Sequence, residues 1–307
     1  MIIWALILLA VLFAIPFAIE LSRKQMDDTA RISAPGEFAH LPRGVTHYQW
    51  TGPKDGPVAV CIHGLTTPSF VWSSTADGLA EQGFRVLTYD LFGRGYSDRA
   101  GGAQDQAFFL RQLNDLLEEQ RVEGDLTMIG YSMGGIIATA FAASQPERIR
   151  DLVLLAPAGM KTAGFSMLRR ISALPVLGEW LMLAVYPGIL RRGLQAEANL
   201  ETTVPGINDL QKAELDWRGF IPAVHSSIKN ILTESFKPKH RTLKDAGVPV
   251  MAIWGRTDAV IPIESADLLL SWNPNVQTHI IDAGHEVTYT HTNDILNLIA
   301  DFTKRHL

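Results

Sequence analysis

Three residue types that together break acyl bonds stand in this chain where the apolar pattern gives way: Ser132, Asp258 and His285. Ser132 lies in Gly130-Tyr131-Ser132-Met133-Gly134, between an apolar, β-favouring run and a run of small residues with helical periodicity. A turn from strand to helix this tight leaves no room for flanking side chains, and it lifts the hydroxyl to the C-terminal edge of a sheet. The plain alternative is a turn serine without chemistry. A hydroxyl is a weak nucleophile until a base takes its proton, and nine histidines compete for that role. His285, in "IIDAGHEV", follows a predicted strand and a glycine, so its loop ends on the same edge as Ser132. His47 and His279 fall within predicted strands, His225 and His240 in a segment without strands, and His40, His291 and His306 at the periphery. The base needs a carboxylate to fix its tautomer. Asp258, in "AIWGRTDAVIP", follows the preceding strand, whereas Glu264 and Glu286 read as helical or solvated and Asp282 as the end of a strand.

Acyl transfer also needs two N–H groups aimed where the carbonyl oxygen becomes negative. Met133, directly after Ser132, supplies one at a helix start. Leu65, after the strand "VAVCIHG", supplies the other. His63 reads as a residue that holds this loop. The only cysteine, Cys61, excludes an intrachain disulfide and a cysteine-based zinc site. It sits in an apolar run and reads as packing. No cofactor or metal is implied.

The elements that position these residues follow from periodicity. Strands are predicted at Val45–Trp50, in "VAVCIHG", at Phe84–Gly93, in "LTMIGYS", and at Leu152–Ala158, Val248–Gly255 and Val276–Ala283. Helices are predicted near Ser74–Gln82 and Ala103–Glu119 and after Ser132. Apolar strands alternating with helices predict an α/β fold, a mostly parallel central sheet with helices on both faces. From Met160 to Ala246 no buried strand is predicted, only helical pieces broken by Pro175, Pro187, Pro205 and Pro222. So long a stretch is not a loop, and residues 160–246 are expected to form a helical cap or lid between core segments 38–159 and 247–307.

The 307 residues, with a net charge of −5 and no basic cluster, give no support for nucleic-acid binding. Ile2–Ile19 carries no charge and is followed by Arg23-Lys24. Its helical length of about 27 Å approaches the ~30 Å of a bilayer core. Residues 1–21 are expected to anchor the chain in a membrane, and 22–37 to be a polar linker. The cations behind the span place the rest of the chain in the cytoplasm. The alternative is a secreted or periplasmic protein after signal cleavage, against which stand the uncharged start and the poor cleavage site Pro16-Phe17-Ala18.

The set "CIHGLT", "YDLFGRGYSD", "GYSMGG", "WGRTDAVIP" and "DAGHE", in this order, resembles the α/β-hydrolase superfamily, most closely its esterases and monoacylglycerol-lipase-like members. The resemblance covers residues 38–305. It implies the α/β-hydrolase fold, the order Ser132…Asp258…His285 for a catalytic triad, and a structural role for the turn Asp90–Gly95. The expected activity is hydrolysis of a small carboxylic ester, with a lipid-like acyl preference suggested by the anchor and by the apolar stretch "FSMLRRISALPVLGEWLMLAVYPGIL". A C–C bond hydrolase of the same fold and a weakly catalytic ligand sensor are the alternatives.

Overall fold

Eight strands form one sheet in the order β1-β2-β4-β3-β5-β6-β7-β8. They are β1 (Glu37–Leu41), β2 (Gly44–Thr51), β3 (Val58–Ile62), β4 (Arg85–Tyr89), β5 (Leu126–Tyr131), β6 (Ile149–Leu155), β7 (Val250–Gly255) and β8 (Gln277–Ile281). The computed structural model describes residues 1–160, 170 and 173–304. β1 and β2 pair antiparallel at one edge, β2 meets β4 antiparallel, and every later pair is parallel. The sheet is thus mostly parallel, as the alternation of strands and helices predicts.

Among the described residues the α-helices longer than one turn are α1 (Ile2–Ser22), α2 (Ser73–Glu81), α3 (Gln106–Glu119), α4 (Met133–Ser144), α5 (Leu177–Ala196), α6 (Ile207–Ala213), α7 (Phe220–Lys229), α8 (Lys237–Asp245), α9 (Glu264–Trp272) and α10 (Thr292–Thr303). Alternate residues of the central strands feed two cores. Val60, Met128, Leu154 and Ala252 face Phe109 of α3, Phe141 of α4 and Leu269 of α9. Cys61, Ile129, Val153 and Met251 face Leu79 of α2 and Ile299 of α10. Both faces being covered explains why these strands read as unbroken apolar runs. Asp105 starts α3 by accepting a hydrogen bond from the Phe108 N–H at 2.8 Å, and Phe109, Leu113, Leu116 and Leu117 then fall on its buried side.

Several expectations need correction. Segment 22–37 is not a free linker: Asp28–Arg31 is a helical turn, Arg31 is buried against Asp98, and β1 begins at Glu37. β1 carries no clear apolar pattern in the sequence because only Ala39 and Leu41 of its five residues are buried. Pro187 does not break a helix but lies inside α5. Pro222 is the third residue of α7, where its missing N–H is one the helix leaves unpaired anyway. Between β6 and β7 the described residues contain helices and no strand. The expected apolar stretch 165–190 lies partly outside the described residues, at 165–169 and 171–172. Cys61 is fully buried, as a packing residue should be.

α1 is long and apolar enough to cross a membrane, with a mean hydropathy of 2.9 over its most apolar window. It does not stand clear of the domain throughout. Pro16 and Glu20 are buried, and Glu20 accepts a hydrogen bond from the Gly219 N–H at 2.6 Å.

Candidate active site

β3 and β5 are neighbours, while β4 lies on the other side of β3. The chain therefore reverses its winding between them, and a crevice opens above their carboxyl ends. Ser132 is the single residue between β5 and α4. Its backbone takes φ 53° and ψ −117°, a strained conformation for a residue with a side chain. Three hydrogen bonds hold it there. The Ser132 N–H donates to Leu155 O at 2.9 Å, and Ser132 O accepts from Gly135 N and Ala158 N, each at 3.0 Å. The flanking glycines are steric requirements. A Cβ on Gly134 would lie 2.0 Å from Ile62 O, and one on Gly130 would lie 2.5 Å from Gly134 O.

His285 and Asp258 reach the same rim from the loops after β8 and β7. The Ser132 Oγ to His285 Nε2 distance is 3.0 Å, and His285 Nδ1 to Asp258 Oδ2 is 2.8 Å. With its Nδ1 proton donated to the carboxylate, the imidazole presents Nε2 as an acceptor to the hydroxyl. Asp258 Oδ1 is held by the N–H groups of Val260 and Ile261, both at 2.7 Å. The two loops are bound to each other: Thr257 donates to Ala283 O through its N–H and its hydroxyl, each at 3.0 Å. Gly255 approaches so closely that a Cβ there would lie 2.2 Å from Gly284 O. The competing carboxylates stay away: Glu264 starts α9 exposed, and Asp282 is exposed beyond β8 with Arg256 at 3.6 Å.

Met133 begins α4 and Leu65 follows β3, and among the described residues neither N–H has a partner. Both line the cavity that contains Ser132 and His285. His63 is fully buried and faces away from it. Its Nδ1 donates to Gly64 O at 2.8 Å and its Nε2 accepts from Leu91 N at 2.9 Å. A trans peptide points its N–H opposite to its C=O, so holding the Gly64 carbonyl fixes the direction of the Leu65 N–H. Arg94 adds a second restraint by donating to Leu65 O at 3.0 Å. Burial lowers the His63 pKa to about 4, so the ring stays neutral. Asp90, in the turn singled out by resemblance, is buried and accepts from Ser69 N, Tyr96 N and His47 Nδ1. It does not line the Ser132 cavity.

The cavity measures about 330 Å³. One wall is apolar: Ile189, Leu190 and Leu194 of α5, with Leu232, Val260 and Ile261. The other is polar. Tyr289 Oη donates to Glu197 Oε2 at 3.0 Å, and Thr67 Oγ1 donates to Gln211 Oε1 at 3.2 Å. The Gln211 Nε2 is buried without a partner among the described residues. Burial raises the Glu197 carboxyl above its ordinary value. Tyr131 steadies His285, donating to its carbonyl at 3.0 Å with ring centroids 5.3 Å apart. These polar residues carry no motif, and sequence reasoning missed their roles. Only Tyr131, beside Ser132, stands within a motif. No group of three or more His, Cys, Asp or Glu suited to a metal is present among the described residues.

Comparison with known proteins bears on the family and the fold. The family model described as the alpha/beta hydrolase fold matches residues 57–292. The chain is 28% identical over 256 residues to a 2-hydroxy-6-oxononadienedioate/2-hydroxy-6-oxononatrienedioate hydrolase of Cupriavidus pinatubonensis, covering 79% of this chain and 85% of that one. Among solved structures it is similar to the enol-lactonase from Burkholderia xenovorans LB400, with a TM-score of 0.74 and 18% identity over 87% of this chain and 100% of that chain. It is also similar to an esterase from Exiguobacterium antarcticum, with a TM-score of 0.73 and 17% identity over 88% and 99% of the two chains.

Proposed function

The chain belongs to the alpha/beta hydrolase fold family, and on that premise we propose that it is a serine hydrolase of carboxylic esters, working through an acyl-enzyme. The observation that carries this reading is the relay from Ser132 Oγ to His285 Nε2 at 3.0 Å and from His285 Nδ1 to Asp258 at 2.8 Å. His285 takes the hydroxyl proton as Ser132 Oγ attacks the ester carbonyl, and Asp258 stabilises the imidazolium. The carbonyl oxygen, now negative, is held by the N–H groups of Leu65 and Met133, each contributing about 3 kcal/mol to barrier lowering. Collapse expels the alcohol with the proton from His285. Water, deprotonated by the same imidazole, then frees the acid and restores Ser132.

The cavity supports an acyl chain along the α5 wall and a neutral alcohol portion against Thr67, Gln211, Tyr289 and Glu197. In this reading the helices between β6 and β7 are a cap over the site, and α1 is a membrane anchor that leaves the catalytic domain in the cytoplasm and near lipid-derived esters. A second reading, C–C bond hydrolysis, is favoured by the relative from Cupriavidus, whose name specifies a dianionic substrate. Against it, no Lys or Arg lines the cavity among the described residues, and the charged group that does is the carboxylate Glu197. A desolvated dianion beside that group is disfavoured.

The test is a fluorophosphonate label followed by a panel of p-nitrophenyl esters and a vinylogous diketone. Ser132 takes the label and Ser132→Ala loses it. Octanoate is cleaved faster than acetate, and the diketone is spared. A preference for acetate overturns the lipid-like assignment, diketone cleavage without ester turnover overturns ester hydrolysis, and an unlabelled wild type overturns both and leaves a sensor.

A further inference from the structure

The anchor is shorter than it looks. Ile2–Leu12 is exposed along its whole length, and at about 1.5 Å per residue it projects only ~16 Å, half of a ~30 Å bilayer core. At Phe13 the helix meets α5: the Trp180 indole N–H donates to Phe13 O at 2.9 Å, and the two rings stack at 5.9 Å with an angle of 7°. If α1 enters a bilayer at all, Trp180 and the start of α5 enter with it.

The surface of α5 suits that position. Leu177, Ala184, Val185, Gly188 and Ile189 are exposed and recur at helical spacing along one stripe, continued upstream by Leu174 and Val176. Arg191 and Arg192 follow it, also exposed. Apart from α1 and this stripe, large exposed apolar residues among those described are scattered singly, as Ile32, Leu200, Leu210 and Ile280. A contiguous apolar surface ending in cations is the pattern of a helix lying in the acyl region with its charges at the headgroups. The buried side of the same helix walls the cavity, and Ile189 belongs to both.

We propose that the partner of this surface is a phospholipid bilayer. α1 and the apolar stripe of α5 enter it together, so that the wall of the Ser132 cavity lies at the level of the acyl chains and ester substrates reach it from the leaflet. This rests on the reading of α1 as a membrane segment, and its location test does not depend on hydrolysis.

The full chain, reconstituted in phosphatidylcholine vesicles, is labelled with an environment-sensitive NBD probe at Leu177→Cys, at Val185→Cys and, as a reference on β8, at Ile280→Cys; Cys61 is fully buried. Emission at 177 and 185 shifts to the blue and is quenched by phosphatidylcholine carrying a mid-chain nitroxide, while the probe at 280 stays water-like. Water-like emission at 177 and 185, or a blue shift that the lipid quencher does not reach (as a second copy of the chain would give), overturns the proposal. In a second arm, Leu177→Asp with Val185→Asp lowers turnover of a long-chain ester in vesicles roughly tenfold, about 1.4 kcal/mol, and leaves turnover of a dissolved butyrate ester unchanged. Equal losses on both substrates overturn the delivery from the leaflet.

Discussion

At the residue scale, the side chains proposed for chemistry depend on others that never touch substrate. His63 is the sharpest case. If its bond to Gly64 O aims the Leu65 N–H, His63→Leu removes one oxyanion donor and strands the buried Leu91 N–H as well. The expected result is a fall of about 10²-fold in kcat with KM little changed, the signature of an interaction made in the transition state. The stranded N–H adds about 1–3 kcal/mol of lost stability, so kcat is measured well below the variant's melting temperature. A raised KM at constant kcat would refute the positioning role. The proposed catalytic residues were legible because each follows a strand in a glycine-marked loop, buried in the case of β5 and β7 and half-exposed at the sheet edge in the case of β8. Glu197 and Gln211 were not legible. They face the same cavity from the end of α5 and from α6, respectively, and a carboxylate or amide on a helix looks the same in sequence whether it faces water or a pocket.

At the element scale, the central strands could be read because burial on both faces leaves little but apolar residues, while β1 could not because most of it is solvated. The prolines misled for a related reason: α5 is held by packing through Met182, Leu183, Tyr186 and Leu194, which offsets the hydrogen bond lost at Pro187. What sequence does not convey is how the loops after β7 and β8 are fixed to each other. Gly255 lets them touch backbone to backbone, and a Cβ there meets Gly284 O at 2.2 Å. Gly255→Ala must therefore push the Asp258 and His285 loops apart. A shift of this size is expected to lower kcat about 10²-fold and to slow fluorophosphonate labelling in proportion. Gly124→Ala is the control, since only Arg148 Cα comes within reach there, at 3.9 Å, and it should leave kcat unaltered. Equal kcat for Gly255→Ala and wild type would show that the two loops have slack the geometry does not suggest.

At the scale of the whole molecule, buried titratable groups shape how stability responds to acid, and His63, His240 and Glu214 do not all pull the same way. His63 and His240 are nearly inaccessible, and burial lowers both pKa values to about 4. In the unfolded chain each imidazole binds its proton near ~6.5. Between those values the unfolded state holds more protons, so their contribution is complete above about pH 6.5 and is lost as pH falls toward 4. Glu214 works in the opposite sense. Burial raises its carboxyl to about 7, the folded state holds the extra proton between the ordinary carboxyl value and 7, and acidification through that window stabilises the fold. His240 on α8 is the one to remove: its Nδ1 is buried without a partner among the described residues, and the ring packs 6.1 Å from Trp272. An apolar replacement there sacrifices no described hydrogen bond. His240→Leu is expected to match the wild type at pH 7 and to retain about 2 kcal/mol more stability at about pH 4.8, measured as urea midpoints at the two pH values. If both proteins lose stability equally over that interval, His240 is not titrating as its burial requires, and the acid sensitivity of the molecule lies in other groups.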